Sequence, residues 1–111
     1  MISTHDLLAA LASEAALLVL DVRSRLEYSR GHIPGARHSP FWLVPARIGR
    51  LRARREIPIV VYCGHGPRAW FAAAALRRRG FPHVYTLRGH WAGWKRAGLP
   101  VHRPEKSRET V

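Results

Sequence analysis

Cys63 is the residue of this 111-residue chain whose type and position best suit a nucleophile, and Arg68 follows it five positions later. The cysteine ends an apolar stretch, residues 59–62, and a helix-like run, residues 69–76, comes after the loop between them. A strand, a glycine-bearing loop and a helix in that order can point backbone N–H groups at an anion. The pattern therefore predicts thiol chemistry on a small anionic group.

Three features of this loop favour the thiolate, the form of cysteine that attacks. Gly64 and Gly66 tolerate unusual backbone angles, so the loop can turn its N–H groups inward. The following helix adds its positive N-terminal end. Arg68 adds a permanent cation whose planar fork also fits an anionic substrate. With these features in place, the attack requires no general base.

The candidate catalytic residue is Cys63, and the candidate substrate-binding residues are the five that follow it. These are Gly64, His65, Gly66, Pro67 and Arg68. All of them except Pro67 have a backbone N–H that the loop can present to an anion. A substrate contact and a solvated loop position are equally open for the His65 side chain. A buried structural thiol is the alternative interpretation of Cys63.

The composition is that of one globular domain, with 47% apolar and 23% charged residues. One cysteine forms no intramolecular disulfide, and the longest apolar region, interrupted at residues 13–14, is too short to span a bilayer. No secretory signal is expected, because the N-terminus has no basic cluster. We therefore expect a cytoplasmic protein with no membrane partner and with neither a cofactor nor a metal.

The formal net charge of +12 leaves three explanations open. The basic residues can be ordinary solvated surface, they can steer small anions or an acidic partner, or they can bind nucleic acid. Nucleic acid is the least favoured of the three, because the basic residues are scattered along the chain.

The apolar and polar patterning predicts strands that alternate with helices. Apolar runs predict three strands, over residues 15–22, 59–62 and 83–87. Helices are predicted after Ser3, after Ser24, over residues 42–54, from Pro67 to Arg79 and over residues 91–97. This alternation predicts a largely parallel sheet, with ligands bound at the carboxyl ends of its strands. Trp70 and Trp94 lie in helix-like runs and are predicted to be core residues.

Four segments, in this order, resemble the motifs of a rhodanese domain. They are Leu20-Asp21-Val22-Arg23 with Glu27-Tyr28; Gly31-His32-Ile33-Pro34-Gly35-Ala36; Val60-Val61-Tyr62-Cys63-Gly64-His65-Gly66-Pro67-Arg68-Ala69; and a closing segment with Gly80-Phe81, Val84-Tyr85, Leu87, Gly89, Trp94 and Leu99-Pro100-Val101. The resemblance spans roughly residues 3–102. It implies an α/β fold, with a single rhodanese-like domain over residues 1–102, a central, mostly parallel five-stranded sheet flanked by helices, and a polar C-terminal tail over residues 103–111.

The resemblance also implies an activity, the transfer of a sulfane sulfur through a persulfide on Cys63. The donor would be a small anion such as thiosulfate, and the acceptor would be cyanide, a thiol or a protein. Asp21 and Arg23 match a motif whose role is mainly structural, although ordinary charges at a strand end remain open. The chain departs from the family where a Gly-Gly pair is frequent, because Gly89 is followed by His90 and Trp91, a bulkier rim.

Three other functions compete with sulfur transfer. A cysteine phosphatase or arsenate reductase of this fold needs Cys-x5-Arg, whereas this chain has Ala69 at that position and the shorter Cys-x4-Arg. A non-enzymatic or sulfur-relay docking module would use the same fold to bind a partner. A metal site would need a second ligand at a suitable spacing, and none of the seven histidines supplies one with Cys63.

Overall fold

The computed structural model of the chain describes residues 1–13, 16–51 and 56–104. Strands and helices alternate through most of this range. They are α1 (Thr4–Ala12), β1 (Leu18–Asp21), α2 (Arg25–Arg30), β2 (Arg37–His38), a 3-10 helix (Phe41–Leu43), α3 (Val44–Leu51), β3 (Ile59–Tyr62), α4 (Pro67–Arg78), β4 (Val84–Thr86) and α5 (His90–Arg96). The predicted α/β fold is confirmed.

The sheet contains four parallel strands in the order β2-β1-β3-β4. The resemblance implied five strands, whereas the described residues form four. At the β4 edge, the place of a further strand is taken by one parallel bridge between Ile2 and Leu87. The two-residue strand β2 was not predicted from the sequence, because Arg37 and His38 carry no apolar pattern.

Both faces of the sheet are covered, which explains the unbroken apolar runs of β1 and β3. On one face Leu20 and Val61 pack with α4, which contributes Leu76. On the other face Val19 and Val60 pack with residues of α1 and α5. The helices thus form outer layers around one parallel sheet, and the carboxyl ends of its strands are left free to carry a site.

Local capping explains where several helices begin and end. The Ser3 side chain accepts a hydrogen bond from the Asp6 N–H, and Ser24 forms a complete capping box with Glu27. Helix α4 begins at Pro67 and is followed by Gly80, whose φ of 90° suits the position after a helix. These predicted starts and stops are confirmed.

Other predicted bounds are wrong. The predicted strand over residues 15–22 is shorter, because β1 covers only Leu18–Asp21 and residue 15 lies outside the described range. The predicted helix over residues 42–54 is divided into the 3-10 helix and α3, with residues 52–55 outside the described range.

One of the two tryptophans predicted to be in the core lies on the surface. Trp94 is fully buried, and its indole N–H donates to the Pro100 carbonyl at 2.7 Å. Trp70 is 70% exposed, because the face of α4 that meets the sheet is made of small alanines and Leu76. Trp70 was predicted to be core because it lies in a helix-like run, which does not show the helix face on which it lies.

The chain closes back on the domain near its C-terminal end. His32 and His102 form an antiparallel bridge through two backbone hydrogen bonds of 3.0 and 2.9 Å. The domain bounds at residues 1–102 and the tail at 103–111 stay predictions, and residues 105–111 lie outside the described range. Among the described residues, no helix combines the length and the apolar character needed to cross a membrane.

Candidate active site

Cys63 lies directly after β3, at the carboxyl edge of the sheet, and its side chain is fully buried. The Gly66 N–H donates a hydrogen bond to the Cys63 sulfur at 3.0 Å. The turn between these two residues therefore curls over the thiol, as the loop geometry predicted. A sulfur that already accepts a backbone N–H is prepared to carry negative charge.

The glycines of the loop are required by its close packing. Gly66 has a φ of 139°, a conformation that L side chains rarely adopt. A Cβ atom at Gly64 would lie 3.1 Å from the Arg68 Nη2 atom and 3.9 Å from the Glu27 carboxylate. Any larger residue at these two positions would therefore open the loop or displace Arg68.

Arg68 makes a two-point ion pair with Glu27, a residue of the first motif for which no contact with Arg68 was predicted. Its Nη1 and Nη2 atoms donate to the two carboxylate oxygens at 2.6 and 3.2 Å. This bidentate hydrogen bond lowers the pKa of Glu27 to about 2 and raises the pKa of Arg68. The Cys63 charge raises the pKa of Arg68 further. Arg68 is thus a cation at the thiol whose charge Glu27 partly balances.

His90 is a second site residue to which sequence reasoning assigned no role. Its Nδ1 atom accepts a hydrogen bond from the Cys63 N–H at 3.3 Å, and a Cβ on Gly66 would lie 3.5 Å from its Nε2 atom. Burial and the charge of His65 lower the pKa of His90, which favours the neutral ring that this acceptor role needs. Its φ of 53° is the one positive value at a non-glycine residue within the described chain. The unusual glycine-to-histidine departure from the family pattern was the available signal.

The start of α5 anchors the loop through the backbone. The Trp91 N–H donates to the Cys63 carbonyl at 2.9 Å, and the Ala92 N–H donates to the Gly64 carbonyl at 3.3 Å. The first turn of the last helix thus holds the first two residues of the loop. The expected bulkier rim at residues 90–91 is therefore a support of the cysteine loop.

Beneath the loop lies a buried network centred on Asp21. Its carboxylate accepts from the Arg23 backbone N–H at 2.9 Å, from the Arg23 guanidinium at 2.8–3.1 Å and from the Tyr62 hydroxyl at 2.6 Å. Burial and the Asp21 charge raise the pKa of Tyr62 far above its usual range, so the phenol stays neutral and donates. Arg23 also donates to the Gly31 carbonyl at 2.6 Å. This network joins the carboxyl ends of β1 and β3.

The structure brings some of the predicted site residues to the sulfur and leaves others outside. Gly66 and Arg68 meet the thiol, and Gly64 packs against Arg68. His65 and Pro67 are exposed. Among the described residues, no group of three or more His, Cys, Asp or Glu side chains could hold a metal ion.

Relatives with assigned names match most of the chain. A protein of Allochromatium vinosum named a sulfurtransferase is 36% identical over 104 residues, which cover 94% of this chain and 95% of that protein. The thiosulfate sulfurtransferase GlpE of Actinobacillus pleuropneumoniae is 33% identical over 102 residues, which cover 90% of each protein.

Solved structures match the fold closely. The Alr3790 protein of Anabaena superposes with a TM-score of 0.84 at 31% identity, covering 98% of this chain and 86% of that one. A thiosulfate sulfurtransferase of Pseudomonas aeruginosa gives a TM-score of 0.84 at 32% identity, covering 92% of this chain and 19% of that longer one. The model of the rhodanese-like domain matches residues 3–97. With nearly its whole length matched, the chain belongs to the rhodanese-like domain family.

Proposed function

We propose that this protein is a thiosulfate sulfurtransferase that carries a sulfane sulfur as a persulfide on Cys63. The observation that carries the proposal is a lone buried thiol capped by the Gly66 N–H at 3.0 Å, next to the Arg68 guanidinium. Relatives named sulfurtransferase support the same chemistry.

In the first step the Cys63 thiolate attacks the outer sulfur of thiosulfate. A bond forms between the two sulfur atoms, the sulfur–sulfur bond of thiosulfate breaks, and its electron pair leaves with sulfite. No proton needs to move, because an anionic thiolate becomes an anionic persulfide. Arg68 and the inward N–H of Gly66 stabilise the charge that passes through the site.

In the second step an acceptor thiolate or cyanide attacks the terminal sulfur of the persulfide. The sulfur leaves with the acceptor, and the Cys63 thiolate is restored under the Gly66 N–H. The two half-reactions share one covalent intermediate, so ping-pong kinetics are expected. His65 and Pro67, which are exposed on the loop, are proposed as outer substrate contacts.

The loop length favours sulfur over phosphate. Arg68 belongs to a Cys-x4-Arg segment, and the turn is tight enough for the Gly66 N–H to reach the sulfur directly. A tetrahedral phosphate would need the wider cradle of a longer loop. A docking module without chemistry is disfavoured because Cys63 is present and its backbone is held by His90 and Trp91.

Intact mass spectrometry after incubation with thiosulfate tests the proposal. Wild type is expected to gain one sulfur atom and to lose it on addition of cyanide. Cys63→Ser, in which the nucleophile is replaced at nearly constant shape, should gain none. No adduct on wild type, or an adduct that survives Cys63→Ser, would show the proposal to be wrong.

A generic aryl phosphate separates the main rival in the same preparation. No Cys63-dependent hydrolysis is expected. Hydrolysis that exceeds sulfur transfer and disappears in Cys63→Ser would instead assign the thiol to phosphate chemistry.

A further inference from the structure

A cationic pocket of about 280 Å³ has two wall residues, Glu27 and Trp91, that contact the cysteine loop. It opens between α2, the start of the 31–36 turn, α5 and the end of the described chain. Its walls include Arg23, Glu27, Arg30, Trp91, Lys95 and Arg103. Arg30, Lys95 and Arg103 have no role in the sulfur-transfer steps proposed above.

The positive charge of this pocket is not balanced within the described part of the chain. Only two ion pairs occur there, Arg23 with Asp21 and Arg68 with Glu27. Arg30, Lys95 and Arg103 are exposed and have no carboxylate partner among residues 1–13, 16–51 and 56–104.

The single carboxylate in the wall is already committed. Glu27 gives both oxygens to Arg68, and that bond holds its pKa near 2, so it stays paired at neutral pH. An anion that enters the pocket therefore meets three cations that have no carboxylate partner among the described residues, without competition from Glu27.

Trp91 forms a rigid wall of the pocket. The Arg23 guanidinium carbon lies 4.5 Å from the centre of its ring, and the Lys95 ammonium lies 5.8 Å from it. Arg23 itself is held by Asp21 and by the Gly31 carbonyl, so it positions the tryptophan instead of binding a ligand. The Lys95 ammonium lies over the ring, and its N–H groups can donate to a ligand.

The pocket also touches the machinery around the thiol. The Trp91 N–H donates to the Cys63 carbonyl, and Glu27 holds the arginine that faces the sulfur. Two residues of the pocket wall, Glu27 and Trp91, are therefore bonded directly to the cysteine loop.

We propose that the pocket is the acceptor subsite, and that it binds the carboxylates of a small anionic thiol. This inference rests on the proposed sulfur transfer and names the chemical class of its acceptor. The reaction is the second step described above. The acceptor thiolate attacks the terminal sulfur, the bond between that sulfur and Cys63 breaks, and its electron pair returns to the Cys63 sulfur. No oxidant or reductant is consumed.

A small thiol fits the site better than the surface of a protein. The volume is near the lower end of about 300–1,000 Å³ that is typical of small-molecule pockets. The Cys63 side chain is fully buried, so an acceptor has to deliver its sulfur on a narrow stem. Carboxylates held by Lys95 and Arg30 would anchor such a stem beside the loop.

The test compares two small acceptors, mercaptosuccinate with two carboxylates and 2-mercaptoethanol with none. The persulfide is loaded first, and its formation is followed by intact mass. Sulfur transfer to each thiol is then measured for wild type, for Arg30→Gln/Lys95→Gln and for Arg96→Gln. Arg96 is exposed on the same helix as Lys95 but outside the pocket wall, so it shows the effect of losing one surface charge elsewhere on α5.

The double variant is expected to raise the KM for mercaptosuccinate about tenfold, because two exposed ionic contacts are lost. The KM for 2-mercaptoethanol should stay within about twofold, and Arg96→Gln should resemble wild type for both thiols. Intrinsic differences between the thiols cancel, because each variant is compared with wild type on the same acceptor.

Binding of succinate, which has the carboxylates but no thiol, is measured in parallel by amide chemical shifts. Shifts at residues 30, 91 and 95 that are lost in the double variant support the subsite. Failure to load the persulfide would overturn the proposed function. Succinate binding would still show whether the pocket binds carboxylates. Any of three results would overturn the subsite. These are equal KM values for mercaptosuccinate in wild type and the double variant, an equal effect of Arg96→Gln, and no succinate shifts in the pocket.

Discussion

Two arginine–carboxylate pairs lie at the carboxyl edge of the same sheet and differ in exposure. Arg23 and Asp21 are 2.8 Å apart, with side chains that are 3% and 0% exposed. Arg68 and Glu27 are 2.6 Å apart, with side chains that are 32% and 38% exposed. The distances are nearly the same, so the surroundings decide what each pair can do.

The buried pair of Arg23 and Asp21 is held in place by the groups that surround it. Tyr62, the Gly31 carbonyl and the Trp91 ring occupy the remaining faces of its two members, so neither charge can leave without stranding the other. The partly exposed pair has water as an alternative partner. Arg68 is therefore accessible to an anionic substrate from the solvent side while Glu27 still holds it. The difference in burial therefore distinguishes Arg23, which is structural, from Arg68, which can take part in a reaction.

Asp21→Asn should give the largest effect, because it leaves Arg23 charged and unpaired in the interior. The free energy of unfolding is expected to fall by about 3–5 kcal/mol, measured by urea denaturation. Asp6→Asn, at an exposed carboxylate near the start of α1, is the control and should change it by less than about 1 kcal/mol. A similar small loss for both variants would contradict the view that the Asp21 pair holds the fold.

Arg68→Ala should behave in the opposite way, with a large kinetic effect and a small loss of stability. Persulfide formation from thiosulfate is expected to slow by about 100-fold, because the cation beside the sulfur is lost. The free energy of unfolding should fall by less than about 1 kcal/mol, since the pair is a third exposed. A neutral organic polysulfide donor should be affected less, and equal slowing of both donors would assign Arg68 a structural role.

His90 allows a finer test, because two replacements share its left-handed backbone but differ as acceptors. His90→Asn can still accept from the Cys63 N–H and should keep persulfide formation within about threefold of wild type. His90→Gly relieves the backbone but removes the acceptor, and about a tenfold loss is expected. Equal rates for the two variants would show that this hydrogen bond does not contribute to persulfide formation.

The same residue predicts a pH effect. Burial and the His65 charge lower the pKa of His90, so its ring stays neutral until the pH falls below the ordinary value of 6.5. Below its lowered pKa, a protonated Nδ1 can no longer accept from the Cys63 N–H, and the rate should fall. The ratio of wild-type to His90→Asn rates isolates this loss, because the other residues of the site are the same in both proteins.

Glu27→Gln should give the smallest effect. The folded-state pKa of Glu27 is lowered from 4.5 to about 2, so its pairing stabilises the fold above pH 4.5 and is lost as the pH falls toward 2. The stability difference from wild type should be below about 1 kcal/mol at pH 7, because the pair is over a third exposed on the Glu27 side. Urea denaturation at several pH values should show this difference vanish in acid, and a difference that is constant with pH would contradict the assignment.

Local features were predictable because neighbouring residues produce them. The loop from Cys63 to Arg68, the Ser24–Glu27 capping box and the end of α4 at Gly80 each follow from residues a few positions apart. The strand bounds were less certain, because an apolar run does not say where pairing stops. The strand β2 was missed since two polar edge residues carry no such run.

The position of the thiol at the end of a strand was predictable, but its surroundings were not. Glu27 reaches Arg68 across 41 positions, and His90 reaches Cys63 across 27. Glu27 had a sufficient local explanation as a helix cap, which hid its second role. The exposure of Trp70 was missed for the related reason that one helix face cannot be chosen without its neighbour.

From the order of its residues alone, this chain specifies a thiol at the end of a parallel strand, followed by a glycine loop and a helix. Those properties depend on backbone preferences and on neighbours within one turn. Tertiary structure decided which arginine is locked and which is partly balanced, what supports the loop, and which exposed cations share one pocket. Burial and long-range contacts set these, because they change the solvation of a charge, which no local pattern records.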